Sequence, residues 1–190
     1  MRSRGNALLK SQFRRNGQNF LLDNNSCLTM RLISFQASYF RLMLQRFGFL
    51  NFHGVDGSEG MLELARCKSI YQTLQKCMLD SELLPASSDS YDAVVIVGAL
   101  SGGQVPPAIL PELHRVTKPG GFVCMTTRNN TSNQFYKKQL QAVIEEMEQN
   151  RLWERVTVQE IEHWEKATAE VEHGSTYISG IIYLYQKSRS

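Results

Sequence analysis

Apolar residues occur along the chain in short unbroken runs, separated by stretches in which they recur at helical spacing. The clearest run is residues 92–98 (DAVVIVG), which predicts a central strand buried on both faces. Residues 122–127 predict a second buried strand beside it, and residues 52–55 predict a third. Because helical spacing intervenes between these runs, we expect a mostly parallel sheet with helices on both faces, which is an α/β fold.

The last part of the sequence has a different pattern. Residues 155–164 alternate in part between apolar and polar positions, residues 177–186 are strongly β-forming, and Gly174 lies between them. No helical pattern separates the two runs, so we expect an antiparallel hairpin at one edge of the sheet.

Helical spacing predicts three helices, over residues 59–67, 107–116 and 131–151. The inward face of the last helix is predicted to comprise Phe135, Leu140, Val143, Ile144 and Met147. Weaker patterns predict a helix over residues 28–47, short strands over 20–23 and 71–79, a loop over 82–90 and a turn over 118–121.

Asp56 is the first candidate for binding chemistry. It follows the predicted strand 52–55 and precedes Gly57, and Ser58 is a suitable N-cap for the next helix. Ligands bind at the carboxyl ends of strands in such sheets, where an acid can accept hydrogen bonds from a ribose diol. The alternative is that Asp56 is only a turn residue.

Basic residues are concentrated at the start of the chain. The first 50 of the 190 residues carry eight Lys and Arg residues against one acid, Asp23. Such an arm could bind nucleic acid or a membrane surface, or direct the chain to mitochondria. It lacks the interleaved aromatic platform that single strands need, and no apolar run reaches the roughly 20 residues of a membrane helix. We therefore expect neither nucleic acid nor a membrane as a partner.

The four cysteines, Cys27, Cys67, Cys77 and Cys124, stand apart from one another, without a CxxC or Cys/His grouping. This pattern predicts reduced thiols in an intracellular, cytoplasmic protein, with mitochondrial targeting by the basic N-terminus as the alternative. It predicts no metal site.

Five segments share an arrangement that is more specific than any one of them. They are GVDGSEGML (54–62), LLP (83–85), YDAVVIVGAL (91–100), ELHRVTKPGGFV (112–123) and GIIYLYQK (180–187). Together they resemble the class I S-adenosylmethionine-dependent methyltransferases, including vertebrate methyltransferase-like proteins, from about Leu42 onward. The resemblance implies a Rossmann-like methyltransferase domain over residues 42–190, after a basic atypical segment over 1–41. It also implies S-adenosylmethionine as cofactor and a small-molecule methyl acceptor.

The same resemblance implies which residues would hold the cofactor. Asp56, with the adjacent Gly57, would bind the ribose hydroxyls, and Met61 would pack on the adenine. Leu79 and Asp80 would lie beside the adenine amino group. Val97 and Gly98 would lie under the methionyl part of the cofactor.

One family feature is not recognisable in the sequence. The family's first strand ends in a glycine-rich loop of the form D-x-x-C-G-x-G, whose glycines let the backbone approach the cofactor. In the first 50 residues Gly5, Gly17 and Gly48 are isolated, and the nearest imitation is FLLDNNSC over 20–27. We therefore expect the first strand and its loop to be degenerate or missing, and cofactor binding to be weak.

Several functions remain open at this point. The chain could be a methyltransferase, or a relic or interaction protein that has lost cofactor binding. A nicotinamide dehydrogenase also uses an acid after the second strand, but it would need G-x-G-x-x-G near the N-terminus, which is absent. No general base stands out, and the only candidates are Ser101, His114, His53 and Tyr136.

Overall fold

The computed structural model describes residues 28–33, 49–166 and 177–189, and within them seven strands form one mixed sheet. The strands are β1 (Leu28–Ile33), β2 (Phe49–Asp56), β3 (Thr73–Lys76), β4 (Tyr91–Leu100), β5 (Thr117–Arg128), β6 (Trp153–Lys166) and β7 (Tyr177–Lys187). The helices are α1 (Glu59–Arg66), α2 (Leu110–Val116) and α3 (Gln134–Gln149). The strand order is β3-β2-β1-β4-β5-β7-β6, with β7 antiparallel to both of its neighbours. The predicted α/β sheet is confirmed.

The centre of the sheet contains a strand where the sequence pattern predicted a helix. β1 pairs in parallel with both β2 and β4, so that Met30 lies opposite Phe52 on one side and Ala93 on the other. The helix predicted over 28–47 is therefore wrong for its first six residues, and the first strand is present rather than missing. The main-chain groups of β2 and β4 that face each other across this position need partners, and β1 supplies them. The strand predicted over 20–23 and the rest of that helix lie outside the described residues.

The predicted central strand is confirmed. β4 lies between β1 and β5, and its Val95 and Ile96 side chains are 3% and 0% exposed. Ile96 packs in the cluster that includes α2 and α3, whereas Val95 belongs to the cluster on the opposite face of the sheet. An unbroken apolar run is needed because both faces of β4 are covered.

The closing hairpin is also confirmed. β6 and β7 pair antiparallel, with Val158 opposite Tyr183. β7 is the inner strand of the pair, since it also pairs with β5. At the start of β6, Trp153 is buried, and its ring lies 4.7 Å from that of Tyr185 between centroids.

The helices begin close to their predicted positions, with one error of orientation. The Ser58 hydroxyl accepts a hydrogen bond from Met61 N (3.4 Å) and caps α1. Short 3-10 turns, Pro107–Ile109 and Thr131–Asn133, lead into α2 and α3. Phe135 was predicted to face inward but is 75% exposed, and Tyr136 is buried in its place. Tyr136 lies on the stripe that continues through the buried residues of α3, and Phe135 is one position, about 100°, away from it.

Two local predictions need correction. β3 is limited to Thr73–Lys76, so Leu79 and Asp80 lie in the turn that follows it rather than at its end. Residues 118–121 are not a free turn but a bulge within β5, because Tyr91 pairs with Thr117 whereas Ala93 pairs with Phe122. The loop predicted over 82–90 is confirmed.

Gly121 ends this bulge at a point where the backbone is too crowded for a side chain. A Cβ at this position would lie 2.9 Å from the carbonyl oxygens of Asp92 and Lys118, both of them main-chain atoms that cannot rotate away. The second glycine of the Lys-Pro-Gly-Gly segment is therefore a packing requirement of the β4–β5 pair.

We expect Gly121→Ala to lower the free energy of unfolding by roughly 1–3 kcal/mol, the usual cost of overpacking. Gly60→Ala is the matched control, because the nearest atom to a Cβ there is 3.9 Å away and alanine favours α1. Its stability should stay the same or rise by up to about 1 kcal/mol. Urea denaturation measures both, and identical midpoints for the two variants would contradict this account.

Candidate functional site

A cleft of about 370 Å³ lies at the carboxyl ends of β2 and β4, the two strands that flank β1 in the sheet. This is the point where the strand order reverses, and ligands of open α/β sheets bind at such points. The lining residues come from the ends of β2 and β4 and from the segments after β3 and β4. They are Val55, Asp56, Gly57, Met78, Leu79, Asp80, Gly98, Ala99, Gly103, Gln104 and Val105.

The structure brings five of the seven predicted cofactor residues to this cleft. They are Asp56, Gly57, Leu79, Asp80 and Gly98. The other two lie elsewhere: Met61 packs beside Leu62 and Ala65 of α1, and Val97 packs against the cluster that contains Val95. Their proposed contacts with the cofactor stay predictions.

Asp56 is held in a defined orientation at the end of β2. Its Oδ1 accepts a hydrogen bond from Ser58 N (2.8 Å), and its main-chain oxygen accepts one from Cys77 N (3.2 Å). The first bond turns the chain into α1, and the second ties the end of β2 to the residue after β3. A side chain fixed in this way presents its carboxylate to the cleft with little freedom left to lose.

Gly57 and Met78 are in close contact at the next position of the cleft wall. A Cβ on Gly57 would lie 2.8 Å from Met78 Sδ, so a side chain there would displace the methionine. Met78 is 44% exposed, and its main-chain N donates to Glu82 Oε2 (2.7 Å). Sequence reasoning missed Met78, because the pattern placed it inside a strand.

The turn after β3 supplies the polar part of this wall. Ser81 Oγ donates a hydrogen bond to Asp80 Oδ1 (3.0 Å), and Glu82 N donates to the Met78 carbonyl (3.0 Å). Leu79 is half-buried and Asp80 is exposed. The pair therefore offers one apolar and one acidic surface to the cleft.

The opposite wall begins at a bulge in β4. The pairing with β5 shifts in register between Ile96 and Leu100, and Gly98 within this interval has a φ of +73°. Gly98 N donates to Thr126 Oγ1 (3.0 Å). The bulge turns the end of β4 away from regular pairing and brings Gly98 to the cleft.

Gly103, Gln104 and Val105 continue this wall, and sequence reasoning did not assign them to the site. A signal was available, since the glycine pair 102–103 directly follows the clearest strand of the sequence. Loops at the carboxyl ends of parallel strands are where ligands are bound.

The four candidates for general acid–base work all lie outside the cleft lining. Ser101 is buried and its Oγ donates to Gln104 Oε1 (2.9 Å). Tyr136 OH donates to the Val105 carbonyl (2.6 Å), and burial raises the pKa of this phenol. His53 Nδ1 lies 2.9 Å from Thr73 Oγ1.

His114 is a structural residue of α2. Its Nε2 lies 3.1 Å from the Leu152 carbonyl and donates a hydrogen bond to it, and its ring lies 6.4 Å from the Trp153 ring between centroids. Burial lowers the pKa of His114 from its ordinary value of 6.5, and the nearby Lys187 ammonium lowers it further. Hydrogen bonding to Leu152 and the Asp89 carboxylate oppose this shift.

None of the three cysteines that the structure describes lies in the cleft lining. Cys77 and Cys124 are buried, Cys67 is exposed, and none of the three forms a disulfide. Burial raises the pKa of Cys124 to about 12, which keeps it protonated and poorly nucleophilic. Within the described ranges, no group of His, Cys, Asp and Glu could hold a metal ion, and no helix is long and apolar enough to cross a membrane.

The sequence of residues 35–125 matches the model of a family described as a methyltransferase domain. This stretch includes β2, β3, β4 and the whole cleft lining. This part of the chain therefore resembles a methyltransferase domain.

A human protein is similar in sequence to the chain. Methyltransferase-like protein 27 of Homo sapiens is 57% identical to the chain over 107 residues, which are 56% of the chain and 43% of the human protein. The chain thus spans less than half the length of this relative.

Solved structures share the fold of the chain. The methyltransferase in a complex with the Haloferax volcanii Trm112 methyltransferase activator superposes with a TM-score of 0.62 at 17% identity, covering 86% of this chain and 84% of that one. A protein from Methanosarcina mazei described as an S-adenosylmethionine-dependent methyltransferase gives 0.59 at 15% identity, covering 87% and 95%. At these identities the likeness shows the fold alone.

We expect the His114→Gln variant to lose less stability than the wild type when the pH is lowered. In the wild type the pKa of His114 is lower in the folded chain than in the unfolded one. Below about pH 6.5 the unfolded chain therefore binds more protons, and stability falls as the pH drops towards the folded pKa. Glutamine keeps a donor for the Leu152 carbonyl but does not titrate.

The free energy of unfolding, measured in urea at pH 7.5 and pH 5.5, should fall more for the wild type than for His114→Gln. Both proteins contain the same carboxylates, including Asp89, so their contribution to the pH dependence cancels when the two are compared. An equal fall in both would show that His114 does not contribute to the pH dependence.

Proposed function

We propose that this chain is a methyltransferase that binds S-adenosylmethionine in the cleft between the ends of β2 and β4 and transfers its methyl group to a small-molecule acceptor. The observation that carries the proposal is the convergence of Asp56, Gly57, Leu79, Asp80 and Gly98 on one cleft. These residues come from three separate parts of the sequence, and only the fold brings them together.

The residues present fit such a cofactor. The Asp56 carboxylate, oriented by Ser58 N, can accept hydrogen bonds from a ribose diol. Leu79 and Met78 provide apolar surface for a base, and the absence of a side chain at Gly57 lets the Met78 side chain pack against the main chain there. The volume of about 370 Å³ lies within the range of small-molecule sites.

When bound, the cofactor supplies an electrophilic methyl group on a positively charged sulfur. The chain's own contribution is to bind and orient. Among the lining residues that the structure describes, the titratable side chains are Asp56 and Asp80, and both serve binding in this proposal. Alignment of the acceptor with the methyl group then provides most of the rate enhancement, as proximity can do.

We expect Asp56→Asn to weaken the binding of S-adenosylhomocysteine at least about tenfold, measured by isothermal titration calorimetry. Asparagine retains an oxygen that can accept from Ser58 N, so the turn into α1 is kept while the charge is lost. Charge-assisted hydrogen bonds of roughly 1.5–3 kcal/mol disappear, and about 1.4 kcal/mol corresponds to a factor of ten.

Glu146→Gln is the matched control, because it removes one carboxylate from an exposed position on α3, distant in sequence from the cleft. Its dissociation constant should equal that of the wild type. If Asp56→Asn binds as tightly as the control, Asp56 is only a turn residue. If the wild type shows no binding, the proposed function itself fails.

One observation favours a second candidate, a domain that keeps the fold without binding the cofactor. β1 ends at Ile33, and the residues that follow it in the sequence, Ser-Phe-Gln-Ala-Ser over 34–38, contain no glycine. The class I methyltransferases that the sequence resembles have a glycine-rich loop at this place in the sequence, where the backbone can come close to the ligand. On this alternative the chain is an interaction protein.

A chimera distinguishes the two candidates. It carries a strand ending in D-x-x-C-G-x-G ahead of Leu42, and its S-adenosylhomocysteine affinity is compared with that of the unaltered chain. We expect tighter binding by the chimera, because glycines remove side-chain atoms at that position. Equal affinities would show that the segment before Leu42 does not limit binding.

A further inference from the structure

The loop over residues 101–105 forms one wall of the cleft, and residues outside the cleft hold the loop in place. Three of its residues, Gly103, Gln104 and Val105, line the cleft. Within the loop, Gln104 N donates to the Ser101 carbonyl (3.1 Å), and Val105 N donates to the Ala99 carbonyl at the end of β4 (3.2 Å). These main-chain bonds join the loop to β4, and further side-chain contacts join it to β5 and α3.

Asn133 makes the first of these contacts. Its Oδ1 accepts a hydrogen bond from Gly102 N (3.1 Å), while its Nδ2 donates to Thr127 Oγ1 (3.0 Å) and to the Arg128 carbonyl (2.8 Å). Asn133 is 5% exposed, so water competes little for these bonds. One side chain therefore joins the loop after β4 to the end of β5.

Thr127 extends the connection to β4 itself. Its hydroxyl donates to the Leu100 carbonyl (2.6 Å) and accepts from Asn133. Thr127 is 2% exposed. The hydroxyl can donate only once, and its donation to Leu100 leaves its lone pairs for Asn133, so the directions of the bonds are fixed.

Tyr136 makes the second contact with the loop, at its other end. Its hydroxyl donates to the Val105 carbonyl (2.6 Å), and the side chain is 6% exposed. A Cβ on Gly102 would lie 4.0 Å from both Asn133 Oδ1 and Tyr136 Cβ, so the loop packs directly on the start of α3. Neither Asn133 nor Tyr136 lines the cleft.

We propose that Asn133 and Tyr136 are positioning residues that hold the 101–105 loop in place as a wall of the cleft. This inference rests on the proposed function for its effect on ligand binding. The two side chains touch no ligand. They keep Gly103, Gln104 and Val105 in the arrangement that a ligand meets, so that little binding energy is lost in ordering the loop.

The test compares Asn133→Ala and Tyr136→Phe with Ile144→Val. Tyr136→Phe removes only the hydroxyl that holds Val105. It provides the test of the proposal if Asn133→Ala does not fold. Ile144→Val is the control for general destabilisation, because Ile144 is a buried residue of α3 away from the loop contacts. Hydrogen–deuterium exchange over residues 98–106 and the dissociation constant of S-adenosylhomocysteine are measured under conditions where each variant is folded.

We expect both loop variants to exchange faster over residues 98–106 than the control. We also expect them to bind S-adenosylhomocysteine at least about fivefold more weakly, since apparent affinity falls with the fraction of molecules whose loop is in place. A merely structural role would lower the melting temperature and leave both readouts at the control's values, which would overturn the proposal. If the wild type binds no S-adenosylhomocysteine, the proposed function fails, and the exchange measurement alone decides whether these residues hold the loop.

Discussion

The pairing of β1 with both β2 and β4 is the interaction on which the rest of the structure depends. Without it the main-chain groups on the facing edges of β2 and β4 would have no partners, and the sheet would be two unconnected halves. β1 also sets the width of the site. It separates the strands that end at Asp56 and at the Gly98 bulge by two strand spacings, roughly 10 Å.

The two sides of the cleft are built in different ways. The β2 side is held by a local bond from Ser58 to Asp56, which shapes the entry into α1, and by a main-chain bond from Cys77 after β3. The β4 side is held by residues distant in sequence, through the buried side chains of Thr127 and Asn133. Few long side chains line the cleft, so the positions of its main-chain atoms depend on these supporting hydrogen bonds.

The sequence predicted the central strand β4, mistook β1 for a helix and made β3 too long. β4 was predicted because both of its faces are covered, which requires apolar residues at successive positions. β1 was mistaken for a helix because Leu28–Ile33 mixes apolar residues with Thr29 and Arg31, and the decision between the two lies in long-range pairing. β3 was drawn too long for a similar reason, since this edge strand pairs with β2 alone.

For the site, Asp56 and Gly57 were candidates because of their place after a predicted strand, and Leu79, Asp80 and Gly98 came from the family resemblance. Met78 could not be found in this way, and the signal for Gln104 and Val105 was the glycine pair before them. Their place depends on where a turn and a loop fold back over the sheet edge, and neither spacing nor residue type records that. The same limit applies to Asn133, whose amide could serve a cap, a turn or, as the structure has it, a bridge between loops.

The position of β7 between β5 and β6 has a consequence for how the molecule is made. A ribosome releases β6 before β7, yet β6 has no contact with β5 in the sheet until β7 is inserted between them. Until β7 is present, Trp153 lacks its contact with Tyr185, and the main-chain groups of β5 that pair with β7 lack their partners. The nascent sheet can close only after Lys187 has left the exit tunnel, even if β1 to β5 assemble earlier.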